Sequence, residues 1–195
     1  MNFKKQIINH FEESIQVKKL VINHCTESIR QAIEWIIQSF KNSGKILICG
    51  NGGSAADAQH IAAEFVIRLS HELERPGMAA IALTTDSSVL TAGSNDLGFE
   101  QIFARQVEAL GQPGDILIGI TTSGNSKNII EAIHSAKNKQ MKTIGLLGND
   151  GGKCKELVDL PILVPSVSVQ HIQEAHITIG HIIVELAEKS LFAVD

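Results

Sequence analysis

Residues 45–53, KILICGNGG, decide the fold class, because a wholly apolar run leads directly into a glycine-rich turn and then into helix-forming residues. Four more short apolar runs follow, separated mostly by segments with helical periodicity: MAAIAL (78–83), DILIGI (115–120), KTIGLLG (142–148) and LPILVP (160–165). Strands that are apolar throughout and alternate with helices are typical of a parallel sheet covered on both faces. The sequence predicts a three-layer α/β sandwich with a five-stranded parallel sheet of the flavodoxin or Rossmann-like kind.

Helices are predicted at both ends of the chain. Residues 3–24 and 26–43 have amphipathic patterns, with Thr26 as a plausible N-cap and Gly44 as a plausible stop. Residues 169–192 form a long helix with apolar residues around much of its circumference, which indicates burial against another subunit. We expect one domain over 1–195, with 1–44 as a helical extension used in oligomerisation and 45–195 as the α/β core.

Composition narrows the function classes. The chain has 195 residues and a net charge of −4, so no global basic field favours nucleic acid as a partner. The first residues lack the apolar region of a secretory signal, and no run approaches the roughly 18 apolar residues of a membrane span. We expect a cytoplasmic protein without a membrane partner, whose three widely spaced cysteines are reduced thiols.

Two loops have the composition of an anion site. GNGGS (50–54) and TTSGNS (121–126) each join a predicted strand to a predicted helix, and ligands of parallel sheets bind beyond the carboxyl ends of the strands. Neither loop has the lysine of a Walker A motif, and GNGGSA lacks dinucleotide-binding spacing. A glycine-rich loop alone can simply make a turn, but the pair favours a monophosphate held by neutral donors.

Candidate catalytic side chains lie near the first loop and in the final helix. His60 and Glu64 share one helix face, where they could bind a metal, act as base and orienter, or form a surface pair. The final helix carries polar residues in an apolar stretch, either structural or ligand-binding: His171, Gln173, Glu174, His176, His181 and Glu185. The segment after Leu83 has little regular signal, and its Asp86, Asn95 and Asp96 are either partners for sugar hydroxyls or turn residues.

Several of these stretches together resemble one family. GNGGSAADAQHIAAEF, SNDLGFEQIFARQVEALGQPGD, GITTSGNSKNIIEAI, GNDGGK and IQEAHITIGHIIVELAE are similar to the phosphoheptose isomerases, which have the sugar isomerase (SIS) fold, along nearly the whole chain. The resemblance implies conversion of sedoheptulose 7-phosphate into D-glycero-D-manno-heptose 7-phosphate through a cis-enediol, the first step of ADP-heptose synthesis for the lipopolysaccharide core. The substrate would be held by Asn51, Gly52, Gly53, Ser54, Glu64, Asn95, Asp96, Thr121, Thr122, Ser123, Ser126 and Gln173.

The same resemblance implies zinc bound by His60, Glu64, Gln173 and His181, and catalysis by Glu64 and His181 as the acid/base pair. It also implies a homotetramer with active sites between subunits. Gln173 and His181 are eight residues apart, a rise of about 12 Å on one straight helix, which is long for two ligands of one ion. We therefore expect an irregular helix start or a contribution from a neighbouring subunit.

The alternative is a non-enzymatic SIS adaptor similar to the DnaA initiator-associating protein. That family lacks counterparts of Glu64 and His181, so their presence favours the enzyme. A sugar-phosphate-binding regulator, or an SIS enzyme for a hexosamine or pentulose phosphate, usually carries further modules, and none is recognised in these 195 residues.

Overall fold

A five-stranded parallel sheet in the order β2-β1-β3-β4-β5 forms the centre of the computed structural model, which describes residues 1–193. The strands are β1 (Ile46–Gly50), β2 (Ala80–Ala82), β3 (Ile116–Thr121), β4 (Lys142–Gly148) and β5 (Leu160–Val164). The helices are α1 (Phe3–Lys41), α2 (Gly53–Val66), α3 (Ser87–Leu97), α4 (Ile102–Leu110), α5 (Lys127–Asn138), α6 (Gly152–Leu157) and α7 (Val169–Phe192). All five predicted strands are confirmed.

Alternate residues of the central strands face two separate cores, which explains why these strands are apolar throughout. Ile46 and Ile48 of β1 pack in a cluster with residues of α1, α2 and α7. Leu47 and Cys49 of the same strand pack in a second cluster with residues of α4, α5 and α6. Helices therefore cover both faces of the sheet, and the predicted three-layer sandwich is confirmed.

The predicted break at Thr26 is wrong, because α1 is one continuous helix of 39 residues. The hydroxyl of Thr26 donates to the carbonyl of Ile22 within the helix (2.6 Å) instead of capping a new one. Nothing in this stretch is a helix breaker such as Gly or Pro. The second half of α1 belongs to the main core through buried side chains that include Ile29 and Ile36.

The segment after Leu83, which has little regular signal in the sequence, contains helix α3. Its N-cap is Asp86, whose side chain accepts a hydrogen bond from the backbone N–H of Val89 (2.9 Å). No residue of α3 is buried, so the apolar periodicity that would have predicted a helix is weak. The predicted helix near 98–110 begins with a 3₁₀ turn at Phe99–Gln101 and continues as α4.

None of the helices in the described part of the chain is both long enough and apolar enough to cross a bilayer. The three cysteines, Cys25, Cys49 and Cys154, are free and buried. Burial raises the pKa of the Cys154 thiol to about 11, which keeps it protonated at neutral pH. These cysteines pack as small apolar side chains.

Candidate active site

The two anion-type loops are neighbours at the carboxyl edge of the sheet. Strands β1 and β3 pair in parallel, with Gly50 opposite Ile120, so both chains leave the sheet side by side. The first loop runs into α2 at Gly53, and the second runs into α5 at Lys127. Two helix N-termini thus begin at one edge, where their dipoles favour an anion.

A cavity of about 80 Å³ lies between the two loops. Its lining side chains are uncharged, and they are Asn51, Ser54, Ile120, Thr121, Thr122, Ser123, Ser126 and Gln173. The Thr121 hydroxyl is 3.1 Å from that of Ser126 and 3.5 Å from that of Ser123. Such a cluster of hydroxyls beside two helix N-termini can hold a phosphate group with neutral donors.

Gln173, in the first turns of α7, closes this cavity. A Cβ added at Gly53 would lie 2.5 Å from the Gln173 side-chain nitrogen, so the Gln173 amide packs directly against the Gly53 backbone. Along α7, Gln173 is about 12 Å from the level of His181. Within one chain, Gln173 therefore lies with the hydroxyl loop.

Asn51 is held by a partner that sequence reasoning missed. The side-chain amides of Asn51 and Asn128 donate to each other's oxygen atoms, at 2.9 and 2.8 Å. Asn128 is only 2 % exposed and lies in the first turn of α5, so the pair joins the two loops. The sequence did contain a signal for Asn128: it is a polar residue in the first turn of the helix that follows an anion-type loop.

His60, Glu64 and His181 converge at the contact between α2 and α7. Glu64 Oε1 lies 2.9 Å from His60 Nε2 and 3.3 Å from His181 Nε2, and the two ring nitrogens are 3.2 Å apart. The Glu64 side chain is 11 % exposed, whereas those of His60 and His181 are 53 % and 41 % exposed. The carboxylate therefore forms the base of a cluster that opens to solvent on its histidine side.

The three ligand atoms fit a zinc ion. All lie within 4.8 Å of one another. A tetrahedral ion with bonds of about 2.0 to 2.2 Å separates its ligands by roughly 3.3 to 3.6 Å, close to the distances in this cluster. The second oxygen of Glu64, Oε2, is buried and accepts no hydrogen bond, so the carboxylate has coordinating capacity left. Two imidazoles and a carboxylate are also a donor set that zinc prefers.

Asp57 is a second residue that the sequence reasoning missed, although it lies one turn before His60 on the same helix. Burial raises the pKa of the Asp57 carboxyl, and the nearby His60 and His181 partly oppose that rise. Its Oδ2 atom is buried without a hydrogen-bond partner. The sequence signal for Asp57 was its i, i+3 spacing to His60, which places both residues on neighbouring positions of the helix surface.

Asn95 and Asp96, predicted to line the sugar, lie in the last turns of α3 and are exposed. The Asn95 amide donates to the Asp96 carboxylate (2.7 Å), and neither residue lines the cavity between the loops. The structure thus places them apart from the hydroxyl cluster of the same chain.

The other polar residues of α7 have structural partners. His171 lies 3.4 Å from the carboxylates of Glu13 and Glu174, between α1 and α7. His176 is fully buried, with Nε2 3.1 Å from the Leu147 carbonyl. Burial lowers the pKa of His176 to about 4, so its ring is neutral and Nε2–H donates this bond. Glu185 pairs with Lys189 at the surface.

Comparisons with known proteins identify the family of the chain. The family model of the SIS domain matches residues 9–148. A phosphoheptose isomerase from Roseiflexus sp. is 51% identical over 191 residues, which are 98% of this chain and 96% of that protein.

Two solved structures match nearly the whole chain. A phosphoheptose isomerase from Neisseria gonorrhoeae has a TM-score of 0.91 and 44% identity, over 96% of this chain and 100% of the other. One from Francisella tularensis has a TM-score of 0.93 and 40% identity, over 97% and 100%. The chain belongs to the SIS-domain family and, within it, to the phosphoheptose isomerases.

Proposed function

We propose that the protein is an aldose-ketose isomerase that converts sedoheptulose 7-phosphate into D-glycero-D-manno-heptose 7-phosphate. The similarity to proteins named phosphoheptose isomerase supports a sugar-phosphate isomerase. The observation that carries the proposal is the cluster of His60, Glu64 and His181 beside a hydroxyl-lined cavity that suits one phosphate.

The spacing between the two parts of the site suits a long sugar phosphate. Ser54 lines the cavity, and His60 follows six residues later on α2, a rise of about 9 Å. Gln173 and His181 span about 12 Å on α7. A seven-carbon chain with a terminal phosphate has a comparable extended length, so its carbonyl end can reach the cluster while its phosphate occupies the cavity.

The hydroxyl loop and the helix N-termini would bind the phosphate. Ser54 and Thr121 are only 3 % and 4 % exposed, so their hydroxyls are already fixed in place before a ligand binds. Fixed neutral donors lose little side-chain entropy on binding. Gln173, packed on Gly53, would contact the sugar next to the phosphate.

The isomerisation moves a proton between C1 and C2 through a cis-enediol. Glu64 is the base: it removes the proton from one carbon and returns it to the neighbouring carbon. His181 would move the proton between the two oxygen atoms while its Nε2 atom is not bound to the ion. Zinc, when bound, would polarise the substrate carbonyl as a Lewis acid.

Glu64 can be both ligand and base because its two oxygens have different surroundings. Oε1 faces the two histidines, while Oε2 has no hydrogen-bond partner. If Glu64 held the ion through one oxygen, the other would remain for proton transfer. His60, Glu64 and His181 would hold the ion, and Gln173 would join them from a neighbouring subunit.

A homotetramer would cover an apolar stripe on the N-terminal half of α1. Phe3, Ile7, Phe11 and Ile15 recur at four-residue spacing on one face and are 67 %, 57 %, 70 % and 51 % exposed. Ile22 of α1 and Leu186 of α7 line a further apolar groove of about 410 Å³. A second copy of this chain would bury both surfaces, and Phe11→Lys should shift the mass measured by light scattering to a smaller species.

We further propose that the enzyme acts in the cytoplasm, in the first step of ADP-heptose synthesis for lipopolysaccharide. Purified protein incubated with a panel of ketose phosphates should convert the heptulose phosphate fastest. Turnover of a pentulose or hexulose phosphate alone would replace the substrate assignment. If the protein converts no ketose phosphate and binds a replication initiator tightly, the non-enzymatic adaptor is favoured instead.

A further inference from the structure

Arg75 lies in the irregular segment between α2 and β2, yet its side chain is completely buried. Its side-chain exposure is 0 %, and that of its partner Glu188 on α7 is 1 %. Nε of Arg75 donates to Oε2 of Glu188 at 2.9 Å. A buried arginine is costly unless its donors are paired, and three of the other four N–H donors of Arg75 bind backbone oxygens.

The guanidinium binds the C-terminal end of α2. Nη2 donates to the Glu64 carbonyl (2.8 Å), and Nη1 donates to the carbonyls of Phe65 (2.9 Å) and Pro76 (3.1 Å). Since α2 ends at Val66, the first two carbonyls are among those that lack a partner within the helix. A cation at this end also interacts favourably with the helix dipole. Arg75 thus fixes the backbone of Glu64 itself.

Glu188 lies two turns beyond His181 and on the same face of α7, because seven residues correspond to almost two full turns. Near the cluster the helices already touch: a Cβ at Gly180 would come within 2.6 Å of the Ile61 side chain. The contact between α2 and α7 is therefore fixed at two places. One is the close approach next to His60 and His181, and the other is the ion pair of Arg75 with Glu188.

We propose that Arg75 is a positioning residue for the active site. It binds the Glu64 carbonyl on α2 and the Glu188 carboxylate on α7, and so holds the helices where His60, Glu64 and His181 converge. The inference rests on the proposed function only because both concern the cluster of His60, Glu64 and His181. Arg75 does not contact the substrate or the ion; it acts through the backbone of Glu64.

The competing explanation is that Arg75 only stabilises the fold. Removing both charges of the Arg75–Glu188 pair distinguishes this role from positioning. Arg75→Met alone leaves Glu188 buried and unpaired, which would destabilise the fold for reasons unrelated to positioning. The double variant Arg75→Met/Glu188→Leu removes both charges, and such replacements of buried pairs are often neutral or stabilising. It nevertheless loses every hydrogen bond from the guanidinium to the end of α2.

The matched control is Asp115→Asn, immediately before β3, where the Asp115 carboxylate bonds Lys45, the residue before β1. Asp115 is 2 % exposed and pairs with Lys45 at 2.5 Å, so this variant also breaks an ion pair whose carboxylate is buried. It should lower the melting temperature and leave the active site intact. Arg75→Lys keeps the charge, but its single nitrogen has only three donors for the Glu188 carboxylate and the three carbonyls. This variant should fall between wild type and the double variant.

The test is a titration of each metal-free protein with Co²⁺, followed by its visible absorption, at a temperature where all variants are folded. The double variant should bind about 10- to 100-fold more weakly than wild type, as is usual when supporting contacts of metal ligands are lost. Its absorption spectrum should change, while Asp115→Asn behaves as wild type. A folded double variant with wild-type affinity and spectrum would overturn the proposal.

Failure of the metal assignment gives a different result, because wild type itself would then not bind Co²⁺. In that case the crystal structure of the metal-free double variant decides about Arg75. A separation of the His60 and His181 Nε2 atoms clearly greater than the 3.2 Å of the wild-type chain would support positioning. An unchanged separation would contradict it.

Discussion

The Nε2 atoms of His60 and His181 lie 3.2 Å apart, although 121 residues separate them in the sequence. Both nitrogens also face Oε1 of Glu64. An arrangement of this kind is more readily explained by a shared ligand than by packing.

Glu64→Gln should lower kcat by about 10²- to 10⁴-fold, the usual contribution of a general base. The amide has nearly the same shape, so the fold and the state of association should be retained. Steady-state assays with sedoheptulose 7-phosphate measure the effect. Glu108→Gln, at an exposed pair with Arg105, is the control and should be fully active. Comparable loss in both variants would contradict a specific role for Glu64.

Thr121→Val should raise KM more than it lowers kcat. Thr121 is buried and its hydroxyl lies in the cluster that would bind phosphate, while the reacting carbons lie elsewhere. A lost hydrogen bond of about 0.5 to 1.5 kcal/mol corresponds to a roughly two- to tenfold higher KM. Inhibition by inorganic phosphate should weaken in parallel. Thr91→Val, which removes a hydroxyl bonded to Ser87 on exposed α3, should leave KM unchanged.

Asn128→Asp should weaken binding of phosphate esters at neutral pH. The variant places a carboxylate beside Asn51 at the anion loops, where like charges repel. We expect KM to rise more than in Asn128→Ala, which loses the amide pair without adding charge. Titration with inorganic phosphate compares the two variants directly. Equal weakening in both would mean that the loss of the amide pair, and not charge, is responsible.

His176 should make the protein less stable in mild acid. Its pKa is lowered to about 4 by burial, below the unfolded value of about 6.5, so the folded state binds fewer protons. Stability is therefore lost as pH falls below about 6.5, by about 2 kcal/mol between pH 7 and pH 5. Urea unfolding at the two pH values measures this difference.

The matched variant His176→Gln can still donate to the Leu147 carbonyl but does not titrate. Between pH 7 and pH 5, its unfolding free energy should fall by about 2 kcal/mol less than that of the wild-type protein. An identical change in both proteins would show that His176 is protonated without cost in the folded state.

The sheet could be predicted from sequence because β1 and β3 are apolar on both faces, a pattern that only a covered parallel sheet explains. The position of the two loops at the carboxyl edge followed from their place directly after predicted strands, whereas the pairing of β1 with β3 was not predicted. The continuity of α1 could not be predicted, since Thr26 suits a cap and a helix interior alike. Helix α3 was missed because it buries no side chain and so has no apolar stripe.

At the site, the His60–Glu64 pair was visible as an i, i+4 spacing, whereas its meeting with His181 depends on how α2 packs on α7. The role of Arg75 had no sequence signal at all. It acts on main-chain carbonyls from an irregular segment, and neither feature leaves a periodic pattern. Contacts between distant elements are what the sequence alone conceals.

Proton exchange during turnover is the sharpest test of isomerisation by Glu64. Wild-type protein is incubated with sedoheptulose 7-phosphate in D₂O, and the product is followed by proton NMR. A base such as Glu64 that exchanges with solvent should place deuterium at C2 of the aldoheptose phosphate. Glu64→Gln should form product and exchange the C1 protons of the substrate about 10²- to 10⁴-fold more slowly. Absence of both product and exchange with the zinc-loaded wild-type protein would contradict the account.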